Sequence, residues 1–395
     1  MRTVGRITEP LAACPHTRHR RQSASFGWLK RSWVNEHGAQ FNAENFRKCF
    51  ECWNQLCADD ISAYIADMID GFGRSIDYLR LSVTDRCNFR CHYCMPEQQN
   101  FLPHRNLLTF EEIETLVQRF IALGIRKIRL TGGEPLVRRD VATLIHALGA
   151  YVRSGALQEL TLTTNGSRLT EFAPTLSAAG VRRINVSLDT LDADDFRSIS
   201  RGGQLDQVLD GIKAAQSAGL DVKINMVALK GQNEAALLPM AKFCVENGHD
   251  LTLIETMPLG SDVHDRKDHF ISLEQFTAPL RAAYNITPLA YQSAGPARYY
   301  HVAPLGLRLG LITPLSHNFC DQCNRIRLTT DGKIFMCLGS DLHVDLRKAL
   351  REQSADDVDD LLRKAMRLKP LRHNFEDQLV TPALRLARHM NATGG

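Results

Sequence analysis

Six of the chain's eleven cysteines fall into two tight groups, Cys87-Asn-Phe-Arg-Cys91-His-Tyr-Cys94 and Cys320-Asp-Gln-Cys323 followed by Cys337. Thiolates at such spacings bind metals, and the number that gather narrows which metal. The first group, C-x3-C-x2-C, offers three thiolates with no fourth cysteine nearby. Three suit a [4Fe–4S] cubane with one iron left open to a small chelating molecule, whereas a bacterial ferredoxin spaces its ligands C-x2-C-x2-C-x3-C. Zinc would want a fourth ligand, for which His92 is a candidate, although His92 reads more simply as a loop residue between ligands. The second group, C-x2-C-x13-C, is again a set of three. Asp331-Gly332 inside it signals a two-residue hairpin turn. Counting pairs back from that turn sets Ile326 opposite Cys337 and returns Cys337 to within a few residues of Cys323. His317 is the extra ligand zinc would need, and spacing alone leaves zinc and iron–sulfur even.

These cysteines need a scaffold, and the chain between them supplies one. From Tyr78 onward, β-rich runs at 78–84, 127–131, 159–165, 183–189, 221–229 and 250–257 alternate with helical patterns such as 110–123, 140–152, 205–218 and 235–247. Strands separated by helices at this spacing give βαβ units and a parallel sheet. Within each strand the two faces differ. Leu79, Leu81 and Val83 oppose Arg80, Ser82 and Thr84; Ile128 and Leu130 oppose Lys127, Arg129 and Thr131; Leu160 and Leu162 oppose Thr161 and Thr163; Ile184, Val186 and Leu188 oppose Asn185, Ser187 and Asp189; Val222, Ile224 and Met226 oppose Lys223 and Asn225. A parallel strand packed on both faces is normally apolar on both. One polar face in strand after strand predicts an α/β fold, an incomplete (βα)6 TIM-type barrel whose lumen holds a ligand, followed by a C-terminal extension that carries the second cysteine group and that the resemblance given below makes an iron–sulfur extension. Buried Arg and Lys are unfavourable unless paired, so that ligand is expected to be an anion. The competing picture, an open antiparallel sheet with one solvated face, fits the intervening helices less well. The 270–312 region gives mixed signals and reads as the bridge to the second cysteine group.

Composition sets the outer limits. The 395 residues carry 48 Lys+Arg against 44 Asp+Glu, a net charge of only +4, which argues against a protein that coats nucleic acid. An apolar content of 44% fits a globular chain, and no apolar run approaches the ~18 residues of a spanning helix, so no membrane partner is expected. An odd cysteine count in a long chain disfavours a disulfide framework and favours a reducing, cytoplasmic location. Three regions are expected: an extension over 1–67 outside the native fold or disordered, a barrel over 68–265, and a C-terminal region over 266–395. The extension holds all three tryptophans, and its first 34 residues carry seven Lys/Arg against one acid, as organelle transit peptides can. Leu11-Ala-Ala-Cys14 and Cys49-x2-Cys52-x4-Cys57 read as chance, and translation starting at Met68 is the preferred explanation of the stretch. Cys244, in a helical pattern, reads as a small buried hydrophobe.

The first cysteine group resembles that of the radical S-adenosylmethionine (SAM) superfamily, and Thr131-Gly132-Gly133-Glu134-Pro135 at the end of the second strand resembles its GGEP motif. Glycines there allow close backbone approach, and Glu134 offers a carboxylate for an ammonium group. Cys320-x2-Cys323-Asn-Arg-x-Arg-Leu-Thr-x-Asp-Gly, with LRLSVTDRCNFRCHYC, TTNG, INVSLD, VKIN and a Gly394-Gly395 end, resembles the GTP 3′,8-cyclase family over about 68–395. The resemblance implies two [4Fe–4S] clusters, one on Cys87, Cys91 and Cys94 and one on Cys320, Cys323 and Cys337, the latter's open iron binding guanine. It implies SAM contacts from Tyr93, Gly133, Ser187 and Met257, GTP contacts from Arg80, Arg129, Thr163, Lys223, Arg325 and Arg327, and a catalytic tail in Gly394 and Gly395. The implied reaction is the first step of molybdenum cofactor biosynthesis. A 5′-deoxyadenosyl radical removes hydrogen from C3′ of GTP, the ribose carbon attacks C8, and reduction gives (8S)-3′,8-cyclo-7,8-dihydroguanosine 5′-triphosphate. The implied partners are an electron donor and, by product hand-over, cyclic pyranopterin monophosphate synthase; a homodimer is a candidate assembly. No G-x-x-x-x-G-K-[ST] loop is present, so the phosphates are not expected to bind in the P-loop manner. The rival readings are a peptide-maturing radical SAM enzyme, which would use more auxiliary cysteines, and a metal-bearing nucleotide sensor, which would not need GGEP.

Overall fold

The computed structural model describes residues 68–260, 268–352, 355–381 and 386–394, which belong to one compact unit. The tryptophans, Cys14, Cys49, Cys52, Cys57 and the rest of 1–67 lie outside the described residues, as does Gly395.

Six strands run in order: β1 (Tyr78–Ser82), β2 (Lys127–Thr131), β3 (Glu159–Thr164), β4 (Arg183–Ser187), β5 (Asp221–Ala228) and β6 (Asp250–Glu255). Between them lie α1 (Phe110–Ala122), α2 (Val141–Arg153), α3 (Leu169–Ala178), α4 (Ala193–Ser200), α5 (Leu205–Ser217) and α6 (Leu237–Glu246). Every neighbouring pair from β1 to β6 is parallel. The local signals are sharp where they matter. Thr109 opens α1 with a capping box, its Oγ1 accepting from Glu112 N while Glu112 accepts from Thr109 N. The apolar strand faces and the inner faces of the helices form one core, which includes Leu79, Ile128 and Leu160, in register on three strands, and Ile113, Leu116 and Phe120 of α1.

The expected partial barrel is present, and its sheet stays open. Later strands extend it at both edges, three beyond β6 and three beyond β1. After α7 (Leu273–Phe276) and α8 (Ala278–Ala283) come β7 (Asn285–Pro288), β8 (Arg298–Ala303) and β9 (Leu307–Ile312), which resolves the mixed signals of that region. β9 lies parallel to β6, and β8 and β7 fold back antiparallel. At the other edge β10 (Arg325–Leu328) lies parallel to β1, with β11 (Lys333–Phe335) and β12 (His343–Asp345) antiparallel beyond it. The boundary expected near 265 falls within 261–267, outside the described residues, and the chain on both sides of it contributes to this one sheet.

The hairpin register differs from expectation by one residue. Arg327 pairs with Phe335 and Leu328 with Ile334, which places Arg325, not Ile326, across from Cys337. The loop has three residues, not two. Gly332 takes φ +84°, its N–H reaches Thr329 O, and Lys333 N donates to the Thr329 side chain, so Thr329 rather than Thr330 faces Lys333. A one-residue slip exchanges the two faces of a strand. The observed register therefore puts Cys337 on the face of Arg325 and Arg327 instead of the apolar one.

Helix α5 packs directly on the loop that follows β3. A Cβ at Gly211 would run into the carbonyl oxygen of Gly166. Gly211→Ala is expected to lose about 1–3 kcal/mol of stability through this overpacking, read as a fall of several degrees in thermal denaturation. An unchanged midpoint would mean that the loop yields freely.

Candidate active site

The first triad sits on the loop that leaves β1. Phe89 N donates to Cys87 Sγ at 3.3 Å and Asn165 Nδ2 lies 3.8 Å from the same sulfur. Arg90 N and His92 N bond to the carbonyls of Ser200 and Ile199 at the end of α4. The two motif glycines act on this loop. Gly133 N donates to Thr84 O and Glu134 N to Arg86 O, and a Cβ on Gly132 or Gly133 would collide with those same backbone segments. Glu134, expected to offer a carboxylate to an ammonium group, is engaged by donors of the protein itself. It is 1% exposed, and its carboxylate accepts from Leu136 N, Thr164 Oγ1 and Asn165 N at 3.0, 2.9 and 2.6 Å, tying the GGEP turn to the end of β3. Burial raises its pKa to about 7. Tyr93 OH donates to Asp189 at 2.7 Å, and Val227 N donates to the other Asp189 oxygen; burial holds that acid up at about 6. Ser187 stands in register with Asn225 on the lumen side, and Met257 lines the lumen wall beyond β6.

The lumen gathers every residue predicted to face an anion. Arg80, Arg129, Thr163, Lys223, Arg325 and Arg327 all line one cavity, together with Cys320, Cys323 and Cys337. Strand register explains the convergence. Arg327, Arg80 and Arg129 are direct Cα partners across β10, β1 and β2, and Thr163, Asn185 and Lys223 across β3, β4 and β5. Their polar atoms are incompletely satisfied: Arg80 Nε, Arg129 Nε and Thr163 Oγ1 are buried without a hydrogen-bond partner. Burial and the neighbouring Arg129 lower the Arg80 guanidinium to about 9, and burial with Arg80 and Arg325 pushes Arg327 well down. Lys223 falls to about 7 through burial and Arg183; its Nζ donates to Tyr299 OH, which donates to Ser293 Oγ. Buried donors with no acceptor and cations depressed by one another mark a site shaped for a multiply charged anion.

The second triad closes one side of this cavity. Burial raises the thiols of Cys320 and Cys337, but Lys369 and Arg325 overcome burial at Cys323 and bring it to about 6. Each triad couples internally, the thiols raising one another. None of the six forms a disulfide, and among the described residues no three His, Cys, Asp or Glu side chains gather round a single point as a lone ion would require. Three thiols on a C-x3-C-x2-C or C-x2-C-x13-C spacing are the donor set of a cubane with one open iron. The C-terminal tail reaches the same region. Asn391 Nδ2 donates to Asp85 O, Arg388 to the carbonyls of Leu338 and Ser340, and Arg327 to Gly394 O. Gly394 has φ +75°, and a Cβ there would collide with Thr131. The tail is thus lodged beside β2 rather than frayed.

Sequence reasoning passed over several of these groups. Arg183 shares the parity of Asn185 and lines the cavity while its guanidinium pairs with Glu159 at 2.7 Å; the alternation that found Asn185 would have found it. Asn165 was legible only as part of TTNG. Lys369 carried no local signal, since it follows a helix and meets Cys323 only through the fold.

Comparisons with known proteins agree with this geometry. A model of the radical SAM superfamily matches residues 81–244, and one described as Molybdenum Cofactor Synthesis C matches 249–375. The GTP 3′,8-cyclase of Rhizobium meliloti (strain 1021) is 52% identical over 345 residues, covering 87% of this chain and 98% of that protein. The GTP 3′,8-cyclase of Agrobacterium fabrum is 51% identical over 331 residues, 84% and 95% of the two. Among solved structures, Streptococcus suis SuiB aligns with a TM-score of 0.53 at 13% identity over 93% of this chain and 86% of that one, a likeness of fold alone. With S-adenosylmethionine bound, SuiB aligns at 0.51 and 15% identity, over 86% and 76%. Among the described residues no helix is long and apolar enough to cross a membrane.

The Lys223 shift gives a pH test. The folded pKa of about 7 lies below the ordinary lysine value of 10.5, so the unfolded chain binds the extra proton between those values. Stability of the ligand-free protein is then expected to rise as pH climbs from about 7 toward 10.5. An anion in the lumen restores the charge. Inorganic triphosphate titrated calorimetrically at pH 8 should therefore take up about one proton, read from the dependence of heat on buffer ionisation enthalpy. Lys223→Met should abolish that uptake, and equal uptake in both proteins would remove Lys223 from the anion site.

Proposed function

We propose that this chain, which belongs to the GTP 3′,8-cyclase family of the radical SAM superfamily, converts GTP to (8S)-3′,8-cyclo-7,8-dihydroguanosine 5′-triphosphate, the first step of molybdenum cofactor biosynthesis. The observation that carries this reading is the row of lumen cations, Arg80, Arg129, Arg325, Arg327 and Lys223, none with a carboxylate in salt-bridge contact among the described residues, beside Cys320, Cys323 and Cys337. A nucleoside triphosphate is matched to it at both ends: a polyanion for the cations, and a base with ring nitrogens for an open iron.

In this reading Cys87, Cys91 and Cys94 hold the first [4Fe–4S] cluster, and Cys320, Cys323 and Cys337 a second. The first cluster with SAM supplies the 5′-deoxyadenosyl radical that abstracts hydrogen from the ribose. The chain's own residues bind and orient. Tyr93, Gly133, Ser187 and Met257 contact SAM. Arg80, Arg129, Arg325, Arg327, Lys223 and Thr163 grip GTP, the guanidinia with bidentate bonds to phosphate oxygens. Fixing both reactants in one walled lumen converts an encounter into an intramolecular step and keeps water from the radical. Gly394 and Gly395 form a catalytic tail, of which Gly394 O is already engaged by Arg327. The proposal extends to an external electron donor for the reductive steps, to product hand-over to cyclic pyranopterin monophosphate synthase, to a cytoplasmic location and to a homodimeric assembly.

Anaerobic reconstitution tests the whole. About eight irons per chain, with 5′-deoxyadenosine formed from SAM and dithionite only when GTP is present, is the expected result. About four irons with one zinc, or SAM cleavage indifferent to GTP, would overturn the guanine-binding second cluster. A charge-assisted hydrogen bond contributes about 1.5–3 kcal/mol. Arg80→Met is thus expected to weaken GTP binding roughly 10- to 100-fold, measured by equilibrium dialysis, while the iron content of both clusters stays unchanged.

A further inference from the structure

Two lysines are buried among the described residues, Lys223 at 4% and Lys369 at 2% exposure. Lys223 belongs to the anion site. Lys369 does not line the lumen, and each of its three N–H groups has one acceptor: Met336 O at 2.7 Å, Arg325 O at 2.9 Å and Cys323 Sγ at 3.4 Å. The two carbonyls belong to opposite arms of the hairpin that carries Cys323 before it and Cys337 after it. A single ammonium thus pins the hairpin and presents its remaining donor to a cluster thiol.

Its own backbone is fixed as well. Lys369 follows α9 (Ala355–Arg367), and the next two residues are strapped by Arg74, whose guanidinium donates to Pro370 O at 2.7 Å and Leu371 O at 2.9 Å. Arg74 also donates to Cys320 O at 2.6 Å and is itself held by Asp70 at 2.6 Å. The lysine and the triad therefore share one brace, and Lys369 has no room to swing away. At the first triad the Cys87 sulfur is met by the neutral donors Phe89 N and Asn165 Nδ2, while the nearby cation, Arg90, turns its guanidinium to the carbonyls of Cys87 and Phe89.

A cubane on three thiolates becomes more negative on reduction. A fixed positive charge and an N–H···S bond stabilise the reduced form more than the oxidised one and raise the potential. We propose that Lys369 is a positioning residue of the second cluster, holding Cys323 in place as its ligand and setting that cluster's reduction potential. This rests on the two-cluster reading above.

The test is a mediated potentiometric titration of the reconstituted full chain followed by EPR, with GTP used to identify the second cluster's signal and SAM the first's. In Lys369→Met, at wild-type iron content, the second cluster is expected to be about tenfold less reduced at a given potential. That is a midpoint about 59 mV more negative for a one-electron couple. The first cluster should not move, and Lys369→Arg, which keeps the charge, should recover most of the shift. An unchanged second midpoint in a Met variant with both clusters intact would overturn the assignment and leave Lys369 as a backbone clasp. Should the Met variant fail to fold, wild-type protein labelled with 15N-lysine gives the answer directly. A nitrogen hyperfine coupling at the reduced second cluster supports the contact, and its absence overturns it. Wild-type protein with about four irons would instead overturn the two-cluster reading, and this inference with it.

Discussion

Three guanidinium-bearing residues, Arg327, Arg80 and Arg129, stand in register on three adjacent parallel strands and face the same cavity. Adjacent strands are ~4.8 Å apart, and like charges at that distance repel by about 3 kcal/mol per pair at an effective dielectric near 20. No carboxylate is in register between them on those strands. The fold tolerates this because the opposite face of each strand is entirely apolar and packed. Leu79 and Leu81, Ile128 and Leu130, and Ile326 and Leu328 are all buried to 1% exposure or less. Each contributes roughly 1.5–3 kcal/mol of burial. Outer-face packing thus holds the inner face in an arrangement that it would not adopt alone, and the unfavourable electrostatics is relieved when a polyanion enters.

The same constraint accounts for the edges of the sheet. Six βα units leave a barrel open, and an open lumen would admit water and leave edge strands unpaired. The later strands extend the sheet on both sides, and each brings chemistry with it. β10 supplies Arg325 and Arg327 and follows directly on Cys323, while β8 supplies Tyr299, the partner of Lys223. Completing the wall and completing the site are one structural event.

Around both cysteine triads the work of precision is done by backbone contacts and buried charges rather than by the thiols. Gly132 and Gly133 let the GGEP turn touch the loop that carries Cys87, and Glu134 locks that turn to Thr164 and Asn165. On the opposite side Arg74 and Lys369 hold the Cys320 loop and the hairpin. One triad is braced by a buried acid and the other by a buried lysine and a half-buried arginine, so the two environments differ electrostatically although each offers three thiols.

The spacing of strands and helices was enough to read the parallel architecture, and alternation along single strands the polar lumen and the place of Arg80, Arg129, Thr163 and Lys223 in it, because a strand's period of two is a local property. The cysteine spacings likewise declared two three-thiol sites. Three things needed the tertiary structure. The Asp331-Gly332 turn was legible, but its loop length was not, because the Thr329 side chain competes for Lys333 N; only pairing fixed Cys337 to the cation face. Glu134 was legible as a motif carboxylate, but nothing local reveals that Leu136, Thr164 and Asn165 will converge on it. Lys369 and Arg74 were invisible, because their partners lie 46 and 246 residues away along the chain. Periodicity encodes which face a residue takes; which distant groups meet on that face is decided by packing.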